Sequence, residues 1–208
     1  MPLGKRHYWP IYAAAERLGL PIGIHAGSAY HNPPSSVGWG SYHIEDYVAQ
    51  AQAFQTQLTS LIVEGVFARH PKLKMVMLES GFTWLPPFLW RLHKFWRGVR
   101  METPWVDRPP LEIVRSNIRF SLQPVDAPPE PETLNRLFDH MQSDELLLFS
   151  SDYPHWQFDG DEVLPPGLSP DLVRKIIIDN PHATYPRLKV AHDTEKRPPV
   201  FGQDHAQN

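Results

Sequence analysis

Cysteine is absent from the sequence, which excludes disulfides, thiolate nucleophiles and cysteine-ligated zinc. Long hydrophobic runs are absent as well. No stretch reaches the roughly 18 apolar residues that span a bilayer, and the opening MPLGKRHYWP lacks the apolar core of a signal peptide. A cytoplasmic location and no membrane partner are the expectations that follow. Charge of one sign is not in excess either: 20 Lys and Arg face 23 Asp and Glu, for a net charge of −3. The basic residues are scattered, so the electrostatic footprint of a nucleic-acid partner is missing. No G-x-G-x-x-G follows an apolar run and no G-x-x-x-x-G-K-[ST] occurs, which removes the usual phosphate cradles. What is plentiful is proline, with 23, and histidine, with 11, in a chain of 208 residues that is 41% hydrophobic. That length and composition suit one globular domain with a sizeable core.

The most informative stretch is 146–155, LLLFSSDYPH. Leu146 to Phe149 is too short for a helix and has the unbroken hydrophobicity of a strand buried on both faces, as in parallel sheets. The run ends on Asp152, and Pro154 stops the strand from continuing. In α/β proteins that end of the strand is where ligands bind. Asp152 alone reads equally as a turn cap or as a ligand or base.

The rest of the chain repeats the pattern. Tyr8–Gly19 has helical periodicity with Gly19 placed to cap it. Leu20–His25 is a short strand ending on a metal-capable histidine. The loop 26–43 is rich in Gly, Pro, Ser and aromatics, and too long for a routine connection. Its Tyr30, His31 and Trp39 are candidates for substrate contacts or a subunit interface. Ile44–Arg69 is helical with a break at Gly65. Lys74–Ser80 is a strand ending on Glu79, and Thr83–Arg100 a helix whose Pro86 and Pro87 must lie in the first turn. Within that helix Trp84, Trp90 and Trp96 fall at near-helical spacing, and most of them are read as core. The stretch 101–112 reads as a loop. Asn117–Gln123 is a strand ending on Gln123, Thr133–Met141 a short helix, and Ser169–Asn180 a helix with Ser169 as N-cap. From 190 to 208 the chain is polar with few apolar residues and is expected to be a disordered tail.

Four strands thus end on His25, Glu79, Gln123 and Asp152, each able to bind a metal, move a proton or donate a hydrogen bond. Four such ends in register argue for a parallel sheet whose C-terminal edge carries chemistry. Each residue has a plainer reading: a strand-end histidine for His25, a salt bridge with Arg91 for Glu79, a solvated turn residue for His155.

The succession LPIGIHAG, FARHPKLKMVMLESGFTWLPPFLWRL, LLLFSSDYPH and IIIDNPHATYPRL resembles the C-terminal half of the amidohydrolase-related family, the metal-dependent hydrolases that include aminocarboxymuconate semialdehyde decarboxylase. The resemblance covers about residues 8–189. It implies an α/β fold comprising about four βα units, half of a TIM-type (β/α)8 barrel, formed by residues 1–189, with the N-terminal half missing. It further implies one divalent metal ion at the C-terminal mouth, zinc by preference, with manganese(II) or iron(II) as alternatives. His25 would be a metal ligand, Asp152 a ligand or the acceptor of a proton from the metal's water, and Glu79, near where decarboxylases place a catalytic histidine, a catalytic base or a ligand. By their own positions rather than by the resemblance, His155 beside Asp152 and His31 and Trp39 in the long loop are candidates for substrate contact, the latter two alternatively for a subunit interface. The implied activity is hydrolysis of a small carbonyl or carboxylate compound through a metal-activated water. The alternatives are decarboxylation within the same family, or an inactive fragment or binding module. The family takes further ligands from a D-x-H or H-x-H near its N-terminus, and nothing before His25 matches that pattern. Four strands leave open sheet edges, so a partner is expected: the missing half, or a further copy in a homo-oligomer.

Overall fold

The computed structural model describes residues 1–188 apart from Ala26, Ser28, Ala29, Tyr30, Gln157, Asp159, Asp161 and Glu162. The expected tail at 190–208, and Tyr30 of the long loop, lie outside the described residues. The chain enters through a single 3-10 turn, Arg6–Tyr8, and then α1, Trp9–Leu18, which turns Tyr12 and Ala15 into the core. Gly19 ends α1 at φ 62°, its N–H reaching the carbonyls of Ala15 and Glu16, a left-handed cap that glycine adopts without a Cβ penalty.

Four strands follow: β1 (Ile22–His25), β2 (Met75–Leu78), β3 (Ile118–Ser121) and β4 (Leu147–Leu148). They form one parallel sheet in the order β1-β2-β3-β4. The helical crossovers that parallel pairing requires lie between them. Helices α2 (His43–Val63) and α3 (Val66–Arg69) link β1 to β2, α4 (Leu85–Val99) and α5 (Pro110–Asn117) link β2 to β3, and α6 (Pro131–Met141) links β3 to β4. Gly65, at φ 80°, makes the break between α2 and α3, and the Trp105 ring packs where its side chain would stand.

Strand alternation divides the sheet into two faces. Met75, Met77, Ile118, Phe120 and Leu147 join the core beneath the helices. Val76 and its register partner Arg119 point to the other face and are nevertheless buried. Arg119 donates to the carbonyls of Arg115 and Ile118 and pairs at 3.5 Å with Glu145. Lys74 lies on the same side, where burial, and secondarily the charge of Arg119, depresses its pKa. These cations sit at the N-terminal ends of the strands, away from the edge where His25 and Asp152 stand.

Three expectations change. Part of the stretch 101–112 is not loop: Pro110 opens α5, whose Ile113 and Val114 are core residues. The helix expected over Ser169–Asn180 keeps its cap, with Leu172 N donating to Ser169 Oγ at 3.2 Å, but divides into α7 (Pro170–Arg174), a π-helical turn (Lys175–Asp179) and α8 (Asn180–Thr184). That turn also covers part of one of the two edges expected to be open. The π-helical turn and Asn180 lie along β4, where Phe149 N donates to Ile176 O and Asn180 Nδ2 to Leu147 O. The half-exposed strand is β1, in which intermediate Ile22 and Ile24 alternate with exposed Gly23 and His25.

Candidate metal and catalytic site

Because all four strands run parallel, their C-terminal ends share one edge, and the strand order puts Glu79 on the element between those of His25 and Asp152. His25 is the last residue of β1 and Glu79 the first after β2. Backbone conformation singles out two of these positions. Glu79 and Asp152 adopt φ 55° and 59°, and among the described residues Gln142 is the one other non-glycine with positive φ. Gln142 is the C-cap of α6, an ordinary place for such a residue. Neither Glu79, directly after β2, nor Asp152, four residues past β4, closes a helix. Each costs about 1–3 kcal/mol of strain that the surroundings must hold, and such residues gather at functional sites.

What holds Glu79 is visible. Its N–H donates to Ser121 Oγ at the end of β3, at 2.9 Å. Just beyond, Asp126 accepts from Phe82 N (3.2 Å) and Thr83 Oγ1 (2.8 Å), clamping the loop that leads into α4, and Gly81 leaves the room Asp126 needs. The hydroxyl of Ser150 repeats the device one strand on, accepting from Gln123 N at 2.9 Å. Serine hydroxyls therefore extend the hydrogen bonding of the sheet past its regular ladder. Gln123 itself is consumed structurally: it is buried, donates through Nε2 to Val163 O and accepts from Val125 N.

Two pairs result. His25 Nε2 lies 2.9 Å from Glu79 Oε1, in a contact open to solvent on the histidine side. The expected partner of Glu79, Arg91, instead stacks over Phe95. The second pair is Asp152 with His155, whose Nδ1 stands 3.2 Å from Oδ2, while His155 N donates to Asp152 O. That approach is close enough for an ion pair but lacks hydrogen-bonding geometry, so Oδ2, though buried, accepts no hydrogen bond. The two pairs do not merge. Among the described residues no group of three or more His, Asp or Glu comes together as a metal cage. His31 and Trp39 lie exposed on the loop between β1 and α2. Trp84 and Trp96 pack on the core, whereas Trp90 is exposed against His140.

Sequence reasoning missed Ser121, Asp126 and Trp156. The ring of Trp156 meets Tyr47 of α2 edge-on at 6.0 Å, joining the loop after β4 to the helix after β1. The signal available for the first two was a serine or aspartate within five residues of a strand end, where hydroxyls and carboxylates take up stray backbone N–H groups.

A buried carboxylate oxygen that accepts no hydrogen bond is a natural acceptor for a cation. An imidazole and carboxylates are hard-to-borderline donors suited to a divalent ion. The donors thus fit in kind, but as two pairs they fall short of the three protein ligands of a catalytic zinc.

The chain resembles several solved structures. An amidohydrolase from Mycobacterium avium subsp. paratuberculosis K-10 is 28% identical, with a TM-score of 0.67 over 88% of this chain and 46% of that one. A 2,6-dihydroxybenzoate decarboxylase complexed with 2,6-dihydroxybenzoate is 19% identical, with a TM-score of 0.67 over 88% of this chain and 56% of that one. A 5-carboxyvanillate decarboxylase from Novosphingobium aromaticivorans DSM 12444, complexed with manganese and 4-hydroxy-3-methoxy-5-nitrobenzoic acid, is 20% identical, with a TM-score of 0.66 over 88% and 53%. The two decarboxylases speak to the fold alone. The chain spans about half the length of these proteins. No protein of curated function matches it. The amidohydrolase family profile matches residues 1–187, nearly the whole of the sheet and helices described above, and the chain belongs to the amidohydrolase family.

Proposed function

We propose that this chain contributes His25 and Asp152 as ligands of one divalent metal ion in an enzyme that hydrolyses a small carbonyl or carboxylate compound. The observation that carries the reading is the buried Oδ2 of Asp152, which faces His155 yet accepts no hydrogen bond and is held in a strained backbone conformation at the same sheet edge as His25. The manganese held by one of the similar structures supports a divalent ion without favouring zinc. Such an ion, when bound, lowers the pKa of a coordinated water to about 7 and polarises a carbonyl. Asp152, as carboxylate, accepts a proton; His155 beside it orients the substrate, joined by His31 and Trp39 at the mouth. Glu79, fixed by Ser121, is the second carboxylate of the edge. In this reading the four strands are half of a TIM-type barrel, and the remaining strands and ligands come from outside the residues described here.

Decarboxylation is the second reading, favoured by the likeness in fold to two decarboxylases. Glu79 weighs against it, because a carboxylate cannot copy a neutral imidazole donor. The test has two arms. The manganese content of the purified protein, measured after dialysis, should fall in both His25→Ala and Asp152→Asn; retention in both ends the metal reading. Incubation with 2,6-dihydroxybenzoate then separates the chemistries, since release of CO2 would establish the second reading over the first.

A further inference from the structure

We infer that Glu79 is itself a metal ligand, sharing the ion with His25. This rests on the reading that His25 binds metal. The sequence leaves Glu79 open between base and ligand, so the placement comes from three observations. First, His25 Nε2 and Glu79 Oε1 are 2.9 Å apart. Ligand distances of about 2.1 Å put neighbouring donor atoms of one ion about 3 Å apart, so the pair already has the spacing of two adjacent ligands. Binding the ion replaces the shared proton, as metal binding to imidazole generally does. Second, Glu79 is kept in the left-handed region by Ser121 Oγ on its N–H. A largely solvent-exposed histidine–carboxylate contact is too weak to account for that conformation on its own. Third, the loop beyond it is clamped by Asp126, so the carboxylate is carried on a braced strand end, as a preorganised ligand should be.

Titration calorimetry with Mn²⁺ alone on the full chain, comparing wild type with Glu79→Gln, should show affinity reduced about tenfold or more. A residue that only orients His25 also lowers affinity, so a second readout is needed. In Glu79→His, loaded with Cu²⁺ and read by electron paramagnetic resonance, the number of coordinated imidazole nitrogens should rise by one over wild type. Wild-type affinity in Glu79→Gln, or an unchanged nitrogen count in Glu79→His, overturns the inference. The two readings fail separately: Mn²⁺ binding lost in His25→Ala but intact in Glu79→Gln removes Glu79 and leaves the function, whereas binding intact in both removes both.

Discussion

A single hydroxyl sets one of the two carboxylates of the edge. Ser121 Oγ accepts the Glu79 N–H and in turn lies 3.3 Å from Gln123 O, to which it donates. Ser121→Ala leaves that N–H without its acceptor, at a cost of about 1–2 kcal/mol. Urea melts should show that loss, together with weaker Mn²⁺ binding; a loss of stability with unchanged binding would confine Ser121 to a structural role. A second residue gives a pH signature. Tyr12 is buried with its hydroxyl donating to Leu3 O at 2.6 Å. Burial, and less so the neighbouring Tyr8, pushes its pKa from 10.0 to about 12. The fold favours the neutral phenol, so its contribution is whole below pH 10 and is lost as pH rises from 10 to about 12. The slope of stability against pH in that window should flatten in Tyr12→Phe, and an unchanged slope would contradict the assignment. Strand-end polarity made the placement of His25, Glu79 and Asp152 at one sheet edge legible as sequence; the hydrogen bonds of Ser121 and Asp126 were not, because they depend on which strand lies alongside.

Elements show the same division between what pattern reveals and what packing decides. The first helix was readable from its period and from Gly19, and the break at Gly65 from glycine alone. Helix α5 escaped notice because its eight residues open on proline and follow a proline-rich approach. The split after Arg174 escaped because IIID carries no breaker; the register of that turn follows from its docking on β4. Buried Asn117 joins α5 to the chain before β2, donating to the carbonyls of Pro71 and Leu73 while Oδ1 accepts from Arg108. Asn117→Ala strands two carbonyls and should cost about 2–3 kcal/mol, visible as a lower urea midpoint. Asn117→Asp should be no better, since an ionised carboxylate has no N–H to offer those carbonyls; rescue by aspartate would show that they do not need a donor.

At the scale of the molecule, the two outer strands of the sheet are covered unequally. Side-chain and helical contacts cover β4, while β1 remains half exposed with Leu20 at 39% and, on α1, Ile11 at 58% exposed. An exposed strand edge with apolar neighbours invites pairing. The 208-residue chain should therefore run as an oligomer in light scattering at tens of micromolar, and a stable monomer there would show that β1 needs no cover. The parallel sheet with four polar strand ends along one edge was foreseeable from four apolar runs; the separation of those ends into two pairs was not, because it depends on side-chain placement that the pattern does not carry. The most direct measurement of the central claim is an anomalous-scattering map of a crystal soaked in manganese. The account predicts a peak within bonding distance of His25 Nε2 and a carboxylate of Glu79 or Asp152. A well-occupied manganese peak elsewhere, with these side chains unliganded, would contradict it.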